Sequence, residues 1–71
     1  MSILLGYKIM ILRKRMNMSQ KELARILNVS PSTIGMYEQG RREPNIDTLI
    51  LLSDTFNVSI DYLVRPGTMS L

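Results

Sequence analysis

Seventy-one residues make at most one domain, because a chain of this size buries only about 60% of its unfolded surface and has nothing left for a second core. With no cysteine and no histidine it has no disulfide, thiolate nucleophile or imidazole base and almost no means of holding a transition metal, so enzyme classes lose most of their tools. The net charge of +3 is unevenly spread, with eight cationic against two acidic side chains in residues 1–42 and one against four in residues 43–71, and the basic half points to a polyanion.

A first helix is predicted over roughly residues 5–16 from the stripe Ile9, Leu12 and Met16, closing at the Asn17 turn. Ser19, Gln20, Lys21 and Glu22 form a capping box that opens a second helix, with Leu23, Ile26 and Leu27 on one face and the small Ala24 beside them. This helix stops at Asn28, a residue that tolerates the left-handed conformation of a tight exit. Ser30 caps a third helix with Pro31 at its first position, and Gly40 ends it. Pro44 and Asn45 introduce a fourth, expected to bury Ile46, Leu49, Ile50, Leu52 and Phe56 and to end at Asn57. Ser59 caps a short fifth helix running to about Val64, broken by Pro66 and Gly67.

No alternating run, internal repeat or low-complexity segment accompanies these signals, so the expected class is all-α, a bundle of five short helices over residues 1–65 followed by a tail at 66–71. With one Phe, three Tyr and no Trp, the core is expected to be aliphatic and filled by methionine. The longest apolar stretch, residues 49–52, is too short to cross a bilayer and residues 1–5 are too short for a signal sequence, so a soluble, cytoplasmic chain without a membrane partner is expected.

Residues 20–39 are the most informative. A connection of about three residues between two helices forces a steep crossing rather than an antiparallel hairpin. Ala24 permits the close approach, and Leu23, Leu27, Val29, Ile34 and Tyr37 form the apolar wedge. With Ile34 inward, Tyr37 and Glu38 fall within about 60° of it, while Ser32, Met36 and Gln39 lie on the opposite side. An inward Glu38 needs a partner. Gly35 costs about 1 kcal/mol relative to alanine inside a helix.

Ser19-Gln20 opening the second helix, Leu23-Ala24, Val29-Ser30 entering the third, Ile34 and Tyr37-Glu38-Gln39-Gly40 occur in a joint register. Downstream, Pro44, the Ile46/Leu49 pair, Phe56-Asn57-Val58-Ser59 and Asp61-Tyr62-Leu63 continue it. Over residues 7–64 this pattern resembles the Cro/C1-type (XRE-like) helix-turn-helix family of phage repressors and bacterial regulators. Asn28 departs from it, since glycine is usual there.

The resemblance implies a five-helix, lambda-repressor-like DNA-binding domain with its helix-turn-helix at helices 2 and 3. It implies a sequence-specific regulator of double-stranded DNA, expected to be a repressor because no segment that recruits polymerase is visible. In the family the start of the third helix meets the bases, which carries over to Pro31, Ser32 and Met36, with Thr33 at the flank near phosphate. Gln20, Lys21, Ser30, Gln39, Arg41 and Arg42 become candidate contacts to the DNA backbone. Ser32 can pair with almost any base edge, whereas Pro31 and Met36 offer only apolar contact, so DNA shape is expected to contribute much of the preference. Gly35 marks either a close approach, with DNA the favoured neighbour, or a cost that the helix simply tolerates. Arg13 is the family's counterpart of Glu38, a structural pair rather than a catalytic one. Leu51 stands where the family is generally polar, and with Ile60, Tyr62 or Val64 it suggests an apolar patch for a homodimer. No cofactor or metal is expected. The rival reading is an antitoxin-like module that engages a protein partner through its C-terminal surface and binds DNA secondarily.

Overall fold

Four of the helices begin where the sequence supplies an oxygen for the orphan amides of a first turn. The computed structural model describes residues 2–66. It contains five helices among the described residues: α1 (Ser2–Arg15), α2 (Gln20–Leu27), α3 (Pro31–Glu38), α4 (Ile46–Phe56) and α5 (Ile60–Val64). Before α2, Ser19 Oγ accepts from the Glu22 amide at 3.0 Å and Glu22 Oε1 accepts from the Ser19 amide at 2.7 Å, completing the capping box. Ser30 Oγ, Asn45 Oδ1 and Ser59 Oγ do the same for Thr33, Thr48 and Tyr62 at 3.2, 2.9 and 2.9 Å. Each such cap is worth about 1 kcal/mol.

The exits are equally local. Asn17, Asn28 and Asn57 adopt left-handed φ values of 54°, 57° and 54°, and Gly40 one of 74°. Asparagine occupies this region more readily than other side-chain-bearing residues. At the sharpest junction the Asn28 amide donates to Arg25 O at 3.3 Å and the Val29 amide to Ala24 O at 3.0 Å, which closes α2 and leaves only three residues before α3.

α1 starts three residues earlier than the periodicity predicts, because Leu5 enters the core and the Ile3 backbone lies against Gly40 at the exit of α3. Its buried face is Leu5, Lys8, Ile9, Leu12 and Arg13, at helical spacing. Met16, expected on that stripe, is exposed. The rest of the core is Leu23, Ala24, Leu27, Ile34, Tyr37, Leu52, Phe56 and Leu63. It is aliphatic with two aromatic rings, and no described methionine is buried in it; Met18 packs at its margin. α3 packs chiefly on α1 and α2, and α5 closes the opposite end against α1 and α4.

Two helix faces differ from expectation. Ile26 is exposed at the edge of α2. On α4 the inward positions are Thr48, Leu52 and Phe56, with Leu49 half-buried, whereas Ile46 is 61% exposed and Ile50 is exposed too. Both isoleucines lie two residues, about 200°, from Thr48 and so face outward. No helix among the described residues is long and apolar enough to cross a membrane. The tail expected at 66–71 lies outside the described residues from Gly67 onward.

Lys8 is 1% exposed and reaches across to α5, where Nζ donates to Tyr62 O at 2.5 Å and to Arg65 O at 3.1 Å. Its ammonium also lies 4.6 Å from the centre of the Tyr62 ring, over its face. A cation at the carbonyl end of a helix meets the negative pole of the backbone dipoles and satisfies acceptors left over by the last turn. α5 therefore ends on a side chain from α1. The close approach of α1 to α3 is set by Gly6, where any Cβ would collide with Tyr37 O and stand 2.8 Å from Glu38 O.

Candidate nucleic-acid interface

The outward side of α3 starts at its cap. Ser30 Oγ lies 2.8 Å from Thr33 Oγ1 and 3.0 Å from Ser32 Oγ, so three hydroxyls cluster at the helix N-terminus. Pro31 and Ser32 are exposed, Met36 is half-buried and Gln39 is exposed. Thr33, expected at the flank near phosphate, is only 8% exposed. The cause is geometric: Thr33 immediately precedes the inward Ile34 and its hydroxyl turns back to Ser30, so its side chain belongs to the cap.

Beneath this face, Glu38 Oε2 accepts from Arg13 Nε at 2.6 Å and Oε1 from Arg13 Nη2 at 3.2 Å. The Glu38 and Arg13 side chains are 6% and 11% exposed. Arg13 Nη1 donates to Met18 O at 2.8 Å, so one guanidinium joins α1, α3 and the turn before α2. Gln20 Nε2 donates to Glu38 Oε1 at 3.0 Å, which ties the first turn of α2 to the same carboxylate. Gln20 itself is exposed, as is Lys21 beside it. Two acceptor atoms thus receive three donors, the arrangement a desolvated carboxylate requires.

The exposed cations of the basic half are Lys14, Arg15, Lys21, Arg25, Arg41 and Arg42; Lys8 and Arg13 are consumed inside. The Arg41 amide donates to Met36 O at 2.9 Å, which holds the arginine pair at the end of α3, and Arg41 Nη1 lies 3.5 Å from Gln39 Oε1. At the other end of the chain Arg65 is engaged by Asp61 at 2.7 Å, and this contact holds the Asp61 carboxyl below its usual range. Glu22 is likewise lowered, chiefly by the Ser19 amide that donates to it and then by the Ser19 hydroxyl. No group of side chains able to hold a metal occurs among the described residues.

A family model for helix-turn-helix domains, HTH_3, matches residues 9–63. The chain belongs to the Cro/C1-type helix-turn-helix family. It is 40% identical over 66 residues to the HTH-type transcriptional regulator ImmR of Bacillus subtilis, covering 93% of this chain and 52% of that protein. It is 34% identical over 62 residues to repressor protein C2 of Salmonella phage P22, covering 87% of this chain and 29% of that one. The P22 c2 repressor in complex with the synthetic operator 9T superposes with a TM-score of 0.83 at 34% identity, over 87% of this chain and 94% of that one. The chain spans about half the length, or less, of the curated relatives it matches.

Within this Cro/C1-type domain, Leu51 is 40% exposed, while Ile60, Tyr62 and Val64 are half-buried. Tyr62 and Val64 pack against the core on either side of the buried Leu63. Of the four residues expected in an apolar patch, only Leu51 is exposed. Three features of the domain were missed by sequence reasoning: Lys8 as a clamp on α5, Gly6 as the contact point of α1 with α3, and Gln20 as a ligand of Glu38. Lys8 had a readable signal, since it sits three residues after Leu5 and four before Leu12, inside the buried stripe.

Proposed function

We propose that this chain is a sequence-specific binder of double-stranded DNA that regulates transcription as a repressor, presenting α3 to the major groove of an operator. The observation that carries the proposal is the division of labour on α3. Its inner side is fixed by Ile34, Tyr37 and the Arg13–Glu38 pair, while Pro31 and Ser32 stand exposed at its start, with Lys21 and the Arg41–Arg42 pair exposed nearby. A rigid rod with an outer strip of small polar and soft apolar side chains between cations suits a furrow whose floor is base edges and whose walls are phosphates. Membership of the family and the likeness to a repressor whose structure contains an operator support the same reading.

Pro31, Ser32 and Met36 would face the bases, and Gln20, Lys21, Ser30, Gln39, Arg41 and Arg42 the backbone. Thr33 leaves this set because of its burial. Neither a cofactor nor a catalytic role is proposed. Two-fold pairing with a second copy would set two α3 helices about 34 Å apart and call for a palindromic site. Leu51, exposed on α4 with Ile46 and Ile50, would offer apolar surface to such a contact, with Ile60, Tyr62 and Val64 of α5 as the other residues proposed for it.

Selection of binding sites from random duplex DNA, followed by fluorescence anisotropy at low ionic strength, tests the proposal. The expected result is saturable uptake with enrichment of a palindrome. Absence of uptake by both enriched and random duplexes would falsify it. Sedimentation that finds only monomer, free and on DNA, would remove the two-fold pairing while leaving the DNA reading in place.

A further inference from the structure

The glycines whose surroundings are described are of two kinds. Gly6 and Gly40 are required by the fold: a side chain at Gly6 would strike the backbone of α3, and Gly40 has a positive φ and lies against Ile3. Gly35 is different. It sits in the middle of α3, and a Cβ built there meets only Gln20 Nε2, at 3.9 Å, an ordinary van der Waals contact. Glycine is the poorest helix former after proline, so its place in an eight-residue helix is unfavourable and nothing within the domain compensates. The packing of the domain therefore does not require glycine at this position.

Position on the helix identifies the direction of approach. Relative to the inward Ile34, Ser32, Met36 and Gln39 point about 140–160° away, Glu38 about 40° and Gly35 about 100°. Gly35 is therefore on the shoulder of α3, between the outer strip and the side where Gln20 is pinned to Glu38 at 3.0 Å. The first turn of α2 adjoins that shoulder, with the exposed Lys21 and the positive end of the helix dipole. A rod lying in the major groove rests its outer strip on the base edges and its shoulders on the sugar–phosphate walls.

We infer that Gly35 is a seat for the operator's sugar–phosphate backbone. Its missing side chain lets one strand close onto the main chain of α3 beside a Gln20 amide that Glu38 holds in place. The inference rests on the DNA-binding reading above and adds to it a position that sets affinity without reading sequence. Glu38 becomes a positioning residue for Gln20, and Gly35 makes the space into which the strand fits.

The test is Gly35→Ala, with binding to the selected operator and to random duplex measured beside thermal unfolding. The melting temperature is expected to be equal to or above that of the unsubstituted domain, because the fold has room for the methyl group and the helix gains from it. Affinity is expected to fall by about tenfold or more, equivalent to about 1.4 kcal/mol. The loss should be alike on operator and random DNA, with base preferences unchanged. Unchanged affinity, a loss confined to the preference at one base pair, or a lower melting temperature would each overturn the inference while leaving the DNA-binding reading intact. Failure of the unsubstituted domain to take up any DNA would overturn both.

Discussion

Replacing Arg13 by methionine tests what holds α3 in place. The substitution keeps a long unbranched stem in the α1–α3 interface and removes three donated hydrogen bonds, two to Glu38 and one to Met18 O. Glu38, with a side chain 6% exposed, then retains Gln20 as its described donor. Removing one member of a buried ion pair costs about 3–5 kcal/mol, mostly because the other charge is left desolvated. Against a total stability of about 5–15 kcal/mol that is a large share. At about 4–8 °C of melting temperature per kcal/mol for a domain of this size, R13M should lower the midpoint by at least about 12 °C. Urea unfolding followed by circular dichroism supplies the free energy, and a cycle with E38Q isolates the pair. E38Q removes the charge but keeps the shape, so the double variant R13M/E38Q should be more stable than R13M alone. An interaction energy near the upper end of the usual 0.5–3 kcal/mol range is expected. Additive losses in the cycle, or R13M within about 0.5 kcal/mol of the unsubstituted domain, would refute the assignment of Arg13 as the clamp.

Other substitutions probe separate contacts. Gly6→Ala should destabilise the domain by about 1–3 kcal/mol or more in the same urea assay, since its methyl group meets carbonyl oxygens rather than a movable side chain; a loss under about 0.5 kcal/mol would mean that α1 and α3 can separate freely. Lys8→Met should cost about 1.5–3 kcal/mol through the loss of two charge-assisted bonds to Tyr62 O and Arg65 O, with amide exchange quickening first in α5; uniform exchange across all helices would count against the local clamp. For Glu22, whose folded-state carboxyl titrates below its unfolded value, the capping contribution is fully present above the usual glutamate range, begins to decline as pH enters it and is lost as pH falls through the lower folded-state value; the melting-temperature gap between the unsubstituted domain and Glu22→Ala should therefore shrink as pH drops below about 4.3, and a gap constant with pH would show that the carboxylate does not cap. Arg41→Gln and Arg42→Gln should each lower the slope of log affinity against log salt by about 1 if that arginine neutralises a phosphate; an unchanged slope assigns that side chain elsewhere.

What could be read from the sequence divides along a physical line. Helix limits were legible wherever a short polar side chain caps its own backbone: Ser19, Ser30, Asn45 and Ser59 all stand at the starts of helices, and Asn28, Asn57 and Gly40 at the exits. These are contacts within three or four residues, so the local order of residue types specifies them. Faces were less legible. Periodicity assigned Ile46 and Ile50 to the interior of α4 because they are apolar, whereas the fold spends a threonine, Thr48, at the inward position and leaves both isoleucines outside. The same bias hid the true face of α1. Two of its five buried side chains, Lys8 and Arg13, are cations whose partners lie 54 to 57 and 25 residues away, a distance at which a single sequence gives no pairing signal. The Arg13–Glu38 pair was anticipated only through resemblance to a family. Gly6 could not have been anticipated, since a lone glycine in a helix announces neither what approaches it nor from which side.

The burial of those two cations changes how the charge of this domain works. Counted along the chain, eight positive side chains in residues 1–42 suggest one broad surface for a polyanion. Folded, six of them remain on the surface, and the other two anchor α1 to its neighbours, Arg13 to α3 and the turn before α2, Lys8 to the carbonyl end of α5. α1 touches no residue proposed to meet DNA bases through those cations, yet it fixes the helix that carries them. Neutralising an exposed cation and neutralising a buried one should then separate experimentally. Arg42→Gln would weaken binding and its salt dependence at constant stability, whereas R13M would lower stability and, below its melting point, leave the salt slope unchanged. Charge acting at the surface and charge acting as internal scaffold are told apart by that slope, because counterions are released only where a side chain meets phosphate.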